Sequence, residues 1–80
     1  MGNFELEEKI LNNIDKLNDN IKELEGIELT KKEKEAMSRA RDYLKDCKYY
    51  LKKDDEITSF ECIIYSHGLI DTLRMIHDII

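Results

Sequence analysis

Residues 57–80 read ITSFECIIYSHGLIDTLRMIHDII, without proline and with one glycine, Gly68. Wound as an α-helix, the stretch is apolar on more than one side. One face collects Ser59, Cys62, Ile63, Ser66, Leu69, Ile70, Leu73, Ile76 and Ile80. The opposite face holds Ile57, Phe60, Ile64, Met75 and Ile79, with His67, Gly68, Asp71 and Arg74 among them. A helix that is polar on only a minor part of its surface needs more than one partner to cover it. Two amphipathic segments precede it, each with a single apolar face to bury. The last segment is therefore the element on which the other two are expected to pack.

The first segment runs from Asn3 to about Glu25. Leu6, Ile10, Ile14, Leu17, Ile21 and Leu24 recur at intervals of four and three, a narrow stripe close to a heptad seam. Asn12, Asn13, Asn18 and Asn20 are weak helix formers, so this helix depends on docking. Gly26 stands where a left-handed residue commonly closes a helix. Thr30-Lys31-Lys32-Glu33 has the pattern of a capping box, with Thr30 as N-cap and Glu33 reaching back. The second helix continues to about Lys53, with a seam of Met37, Ala40, Leu44, Cys47 and Leu51. Ala36, Tyr43 and Tyr50 widen one edge of it. Asp54-Asp55 then forms a short turn, with Asp55 as N-cap of the third helix.

A turn centred near Asp54–Asp55 pairs residues whose numbers sum to about 110. Leu51 is then expected to meet Ser59, Leu44 to meet Ser66, Cys47 to meet Cys62 or Ile63, Ala40 to meet Leu69 or Ile70, and Met37 to meet Leu73. Large residues face small ones at most levels, as a close helix pair requires. The expected fold is all-α: one domain over residues 1–80, an antiparallel up-and-down three-helix bundle with helices over about 3–25, 31–53 and 56–80. Cys47 and Cys62 are expected as buried, free thiols near each other across the seam.

Charge is unevenly distributed. Residues 1–29 carry three lysines against eight acids, residues 31–53 nine basic residues against four acids, and residues 54–80 one arginine against six acids. The basic middle segment suits a helix packed between or beside acidic ones. The net charge of −5 argues against nucleic acid as a partner. Apolar runs are too short to span a membrane, and the acidic start MGNFELEEK has no signal-peptide core, so a cytoplasmic location is expected. Two cysteines alone do not make a zinc site.

Residues 40–74, ARDYLKDCKYYLKKDDEITSFECIIYSHGLIDTLR, resemble a family of small archaeal helical proteins catalogued as a domain of unknown function. The resemblance rests on Tyr43, Asp46 and Cys47, the paired Tyr49 and Tyr50, the Asp54-Asp55 turn, Tyr65-Ser66-His67-Gly68 and Asp71. Asp54 stands where that family has glycine, which implies a less tight turn. The resemblance implies a three-helix up-and-down bundle and no particular activity.

Candidate chemistry is sparse. His67 and Asp71, four residues apart, share a helix face, and a carboxylate can orient an imidazole, but no third group is placed beside them. Arg74 and His77 resemble the Arg–His pair of the HEPN ribonucleases, yet only two residues separate them where that motif has four to six. Tyr43, Tyr49, Tyr50 and Tyr65 fall on different faces and make a poor base-stacking platform. Gly68 in mid-helix points to a close approach by another group. No catalytic, metal or cofactor-binding residues are assigned, and no small-molecule ligand is inferred. The sequence is best read as a non-enzymatic module that binds a protein partner, or itself as a homodimer. Its candidate interface is Ile57, Phe60, Ile64, His67, Gly68, Asp71, Met75 and Ile79. The alternative is an RNA-associated accessory domain using the basic second helix.

Overall fold

The structure, a computed structural model, describes residues 4–80. It contains three helices: α1 (Phe4–Glu23), α2 (Lys31–Lys52) and α3 (Glu56–Ile76). The expected start of α1 at Asn3 lies outside the described residues. The end of α1 unwinds into tighter turns, in which the amides of Leu24, Glu25 and Ile27 bond carbonyls three residues back. Gly26 then reverses the chain at φ +83°, the left-handed position foreseen for it. The capping box of α2 is complete: the Glu33 amide donates to Thr30 Oγ1 at 3.2 Å, and the Thr30 amide donates to Glu33 Oε1 at 2.8 Å.

The α2–α3 turn is tight despite lacking glycine. Asp54 takes the left-handed conformation at φ 59°, its amide donates to Leu51 O, and the Asp55 amide donates to Tyr50 O. These two bonds are the Schellman arrangement, which satisfies carbonyls that the end of a helix leaves open. Asp55 then caps α3, accepting the Thr58 amide at 3.2 Å. An L-residue with a side chain is strained at positive φ, and glycine is not. Asp54→Gly is therefore expected to raise stability by about 0.5–1 kcal/mol, part of the relief being offset by the freer unfolded chain. A lower urea midpoint for this variant would show that the aspartate supplies something beyond the turn geometry.

The α2–α3 seam is built on two fully buried serines. Ser59 Oγ donates to the Cys47 carbonyl and Ser66 Oγ to the Ala40 carbonyl, each at 2.7 Å. Because the single Ser59 proton is used this way, the Cys47 thiol 3.3 Å away donates to Ser59 Oγ. Small residues face each other at both levels, so the backbones approach closely. The hydroxyls bond carbonyls one turn beyond the residues expected opposite them: Ser59 reaches Cys47 O, past Leu51, and Ser66 reaches Ala40 O, past Leu44. Two causes account for the one-turn difference. The turn centres on Asp54 alone, and a helix carbonyl points toward its C-terminus, so the accepting residue sits farther from the turn than the hydroxyl it receives.

The α3 helix also ends earlier than its apolar pattern. His77 caps it, and Asp78 adopts φ 58° in a second Schellman arrangement, with the Asp78 and Ile79 amides donating to Met75 O and Arg74 O. The chain leaves the helical path there. Ile79, expected on the outer face, packs against the core, while Ile76 and Ile80, expected in the core, are exposed. One cluster forms that core. It comprises Ile10, Ile14, Leu17, Ile21 and Leu24 of the first segment, Ala40, Leu44 and Cys47 of α2, and Ile63, Ile70 and Leu73 of α3. The closest backbone approaches are those of α3 to α2 and of α3 to α1, while α1 and α2 scarcely approach each other.

Candidate functional site on the outer face of α3

Consecutive residues of α3 divide between its two neighbours. Ser59 and Ser66 bond α2. Phe60 lies under the Lys9 ammonium of α1, 5.5 Å from the ring centre, and His67 Nε2 is 3.0 Å from the Asn13 carbonyl. Successive helical residues project about 100° apart. The side chains that meet α2 and those that meet α1 therefore lie on adjacent sides of α3. Ile63 and Ile70, fully buried, fill the wedge between them.

This geometry splits the eight candidate interface residues. Phe60, His67, Asp71 and Ile79 are half-buried on the side that meets α1 or the core. Ile57, Ile64, Gly68 and Met75 face solvent, beyond the edge of α3 that meets α1. Ile57 is 71 % exposed, Ile64 48 % and Met75 64 %. Gly68 is corrected in one respect: among the described residues a Cβ built on it meets nothing within 4 Å, so none of them requires the glycine. Beside this line, Phe60, Glu61, Ile64 and Tyr65 border a shallow, mostly apolar depression. Tyr65 also stacks on Tyr43 of α2, with ring centres 5.4 Å apart.

The titratable groups singled out in the sequence do not converge. A carbonyl only accepts, so His67 carries its proton on Nε2 and donates to Asn13. Asp71 instead accepts from Arg74 Nη1 at 2.9 Å, and Arg74 Nη2 reaches Glu23 at 3.2 Å, tying the ends of α3 and α1 together. His77 Nε2 lies 2.8 Å from Glu33 Oε2. Arg74 and His77 thus serve different partners, and His67 and Asp71 form no dyad. The Glu33–His77 and Glu23–Arg74 pairs carry no local signal in the sequence, since 44 and 51 residues separate their members.

The Glu33 carboxylate is fully engaged, by Thr30 on one oxygen and His77 on the other. The Thr30 amide above all, with help from the Thr30 hydroxyl and His77, holds its pKa below the ordinary carboxylate range against the opposing effect of burial. A lowered folded-state pKa adds stability above the unfolded value, and that stability is lost as pH falls through the folded one. The urea midpoint is accordingly expected to fall on acidification below the ordinary carboxylate range. Glu33→Gln should reduce that fall, and an unchanged pH profile would contradict the assignment.

The family's sequence profile matches residues 5–79, well beyond the Ala40–Arg74 stretch that carries the resemblance. The chain belongs to the family of proteins of unknown function DUF357. No curated protein matches it. In this DUF357 chain, both cysteines are free thiols. Cys47 is fully buried, and Cys62 is only half-buried, against the expectation that both would be enclosed. Burial pushes both thiols up in pKa, and the Asp46 carboxylate adds to the effect at Cys62. Neither has the environment that generates a reactive thiolate. Among the described residues, no group of three His, Cys, Asp or Glu side chains could hold a metal ion, and no helix is long and apolar enough to cross a membrane. The basic face of α2 is interrupted by acids: its shallow grooves are bordered by Arg39 together with Glu35, Asp42 and Asp46.

Proposed function

We propose that this DUF357 protein is a non-enzymatic, cytoplasmic interaction module that docks another polypeptide on the outer face of α3. The observation that carries the reading is the exposed line of Ile57, Ile64 and Met75, on the side of α3 that neither α1 nor α2 covers. Single exposed apolar residues are ordinary, but three on one line of the helix that supports both others mark a candidate contact surface. Phe60, Tyr65 and the half-buried His67 and Asp71 border it, giving an apolar centre with a polar rim. The RNA-associated alternative on α2 has weaker support, because the cations there alternate with carboxylates.

The test is the pair Ile57→Glu with Ile64→Lys. Both positions are exposed, so the fold is expected to survive, whereas Phe60→Glu would disturb the contact with α1. Wild type is expected to self-associate or capture protein in sedimentation and pull-down, and the folded double variant to lose it. An unchanged profile would remove α3 as the interface. RNA binding that weakens steeply with salt would move the site to α2.

A further inference from the structure

We infer that the occupant of the outer α3 face is a second copy of this chain, packed antiparallel about a two-fold axis level with Ser66. The inference rests on the docking reading above and names the partner. Ile57, Ile64, Gly68 and Met75 are separated by seven, four and seven residues, a pattern that is the same from either end. On a helix of 3.6 residues per turn, these steps keep all four residues within about 40° of one line. A two-fold axis perpendicular to α3 then sets Ile64 opposite Gly68 of the second copy, and Ile57 opposite Met75. The same patch meets itself, as a closed two-fold interface requires.

Gly68 gives this arrangement its fit. A mid-helix glycine is unfavourable relative to alanine, and among the described residues nothing occupies the space where a Cβ would lie. Across the two-fold axis that space receives the Ile64 side chain of the second copy, a knob over a hole, repeated twice. Flexible Met75 meets Ile57 at the ends, where crossing helices diverge and a longer side chain is needed.

Charge complements shape. The Lys9 ammonium sits over Phe60 on the α1 side of the line. The two-fold axis brings the level of Phe60 to that of Thr72, beside Asp71 of the second copy on the same side. The Asp71 side chain remains 46 % exposed beside Arg74, leaving room for a second cation. Each Lys9 thus faces an Asp71 across the axis. Glu61 lies on the other flank, away from that carboxylate. One helix pair about 27 Å long is a small interface, so the dimer is a reversible one.

The test exchanges knob and hole. Sedimentation over a concentration series is run on wild type, Ile64→Gly, Gly68→Ile and the double variant, with circular dichroism confirming that each is helical. Wild type is expected to dimerise with concentration. Each single variant is expected to weaken the dimer about tenfold or more, because it sets glycine on glycine or isoleucine on isoleucine. The double variant restores knob opposite hole and is expected to recover the dimer. If Ile64→Gly is unfolded, Ile64→Ser tests the same knob. A wild type monomeric at about 1 mM, or a double variant as monomeric as the single ones, overturns the self-pairing. Either result leaves the broader docking reading to the capture of other proteins by wild type against Ile57→Glu/Ile64→Lys.

Discussion

Replacing Leu17 by alanine is expected to lower the free energy of unfolding by about 2–5 kcal/mol. Leu17 is 0 % exposed at the middle of the α1 stripe, between Ile14 and Ile21. Truncation removes buried apolar surface and leaves a cavity that helices pinned at Glu23–Arg74 and Asn13–His67 cannot readily close. An 80-residue domain has only roughly 4–12 kcal/mol of stability, so the loss takes a large part of it. The measurement is a shift of the urea midpoint at unchanged slope. Leu11→Ala is the control: Leu11 is 47 % exposed, and its replacement is expected to cost under about 1 kcal/mol. Equal losses at the two positions would contradict the placement of α1.

Ser66→Leu is expected to cost about 2–4 kcal/mol and to separate α2 from α3. The serine is fully buried with its hydroxyl on the Ala40 carbonyl, at a level where only small side chains stand between the helices. Leucine there adds three carbons to a closed seam and removes the hydrogen bond. Ser66→Ala isolates the second effect. It is expected to cost only about 1 kcal/mol, because the Ala40 carbonyl keeps its helical partner. A small effect of leucine, comparable to that of alanine, would mean that the seam is looser than the 2.7 Å contact implies.

The features legible in the sequence are those whose causes are local. The capping box needs only Thr30 and Glu33, and the reversal after α1 needs only Gly26. The α1 stripe names its own buried face, because Ile10, Ile14, Leu17, Ile21 and Leu24 all enter the core. Long-range geometry was less legible. The exchange of Ile79 for Ile80 follows from Asp78 leaving the helix, which periodicity extended past residue 76 does not register. The register slip between α2 and α3 depends on where serine hydroxyls find carbonyls. The candidate face was half legible: its apolar line is visible on a helical wheel, but where α1 docks along the edge of α3 decides which members stay outside. Phe60 and His67 meet α1 there, while Ile57, Ile64 and Met75 stay exposed.

The central claim is that α3 is the shared support of the fold, bound tightly to α2 through buried serines and more lightly to α1. Residue-resolved hydrogen exchange in wild type tests it most directly. The α1 amides from Ile10 to Ile21 are expected to exchange through smaller openings than those of Tyr43–Cys47 and Ile63–Ile70, because α1 makes less extensive backbone contact with α3 and carries four asparagines. Equal protection in all three helices would show a single cooperative unit and contradict the account.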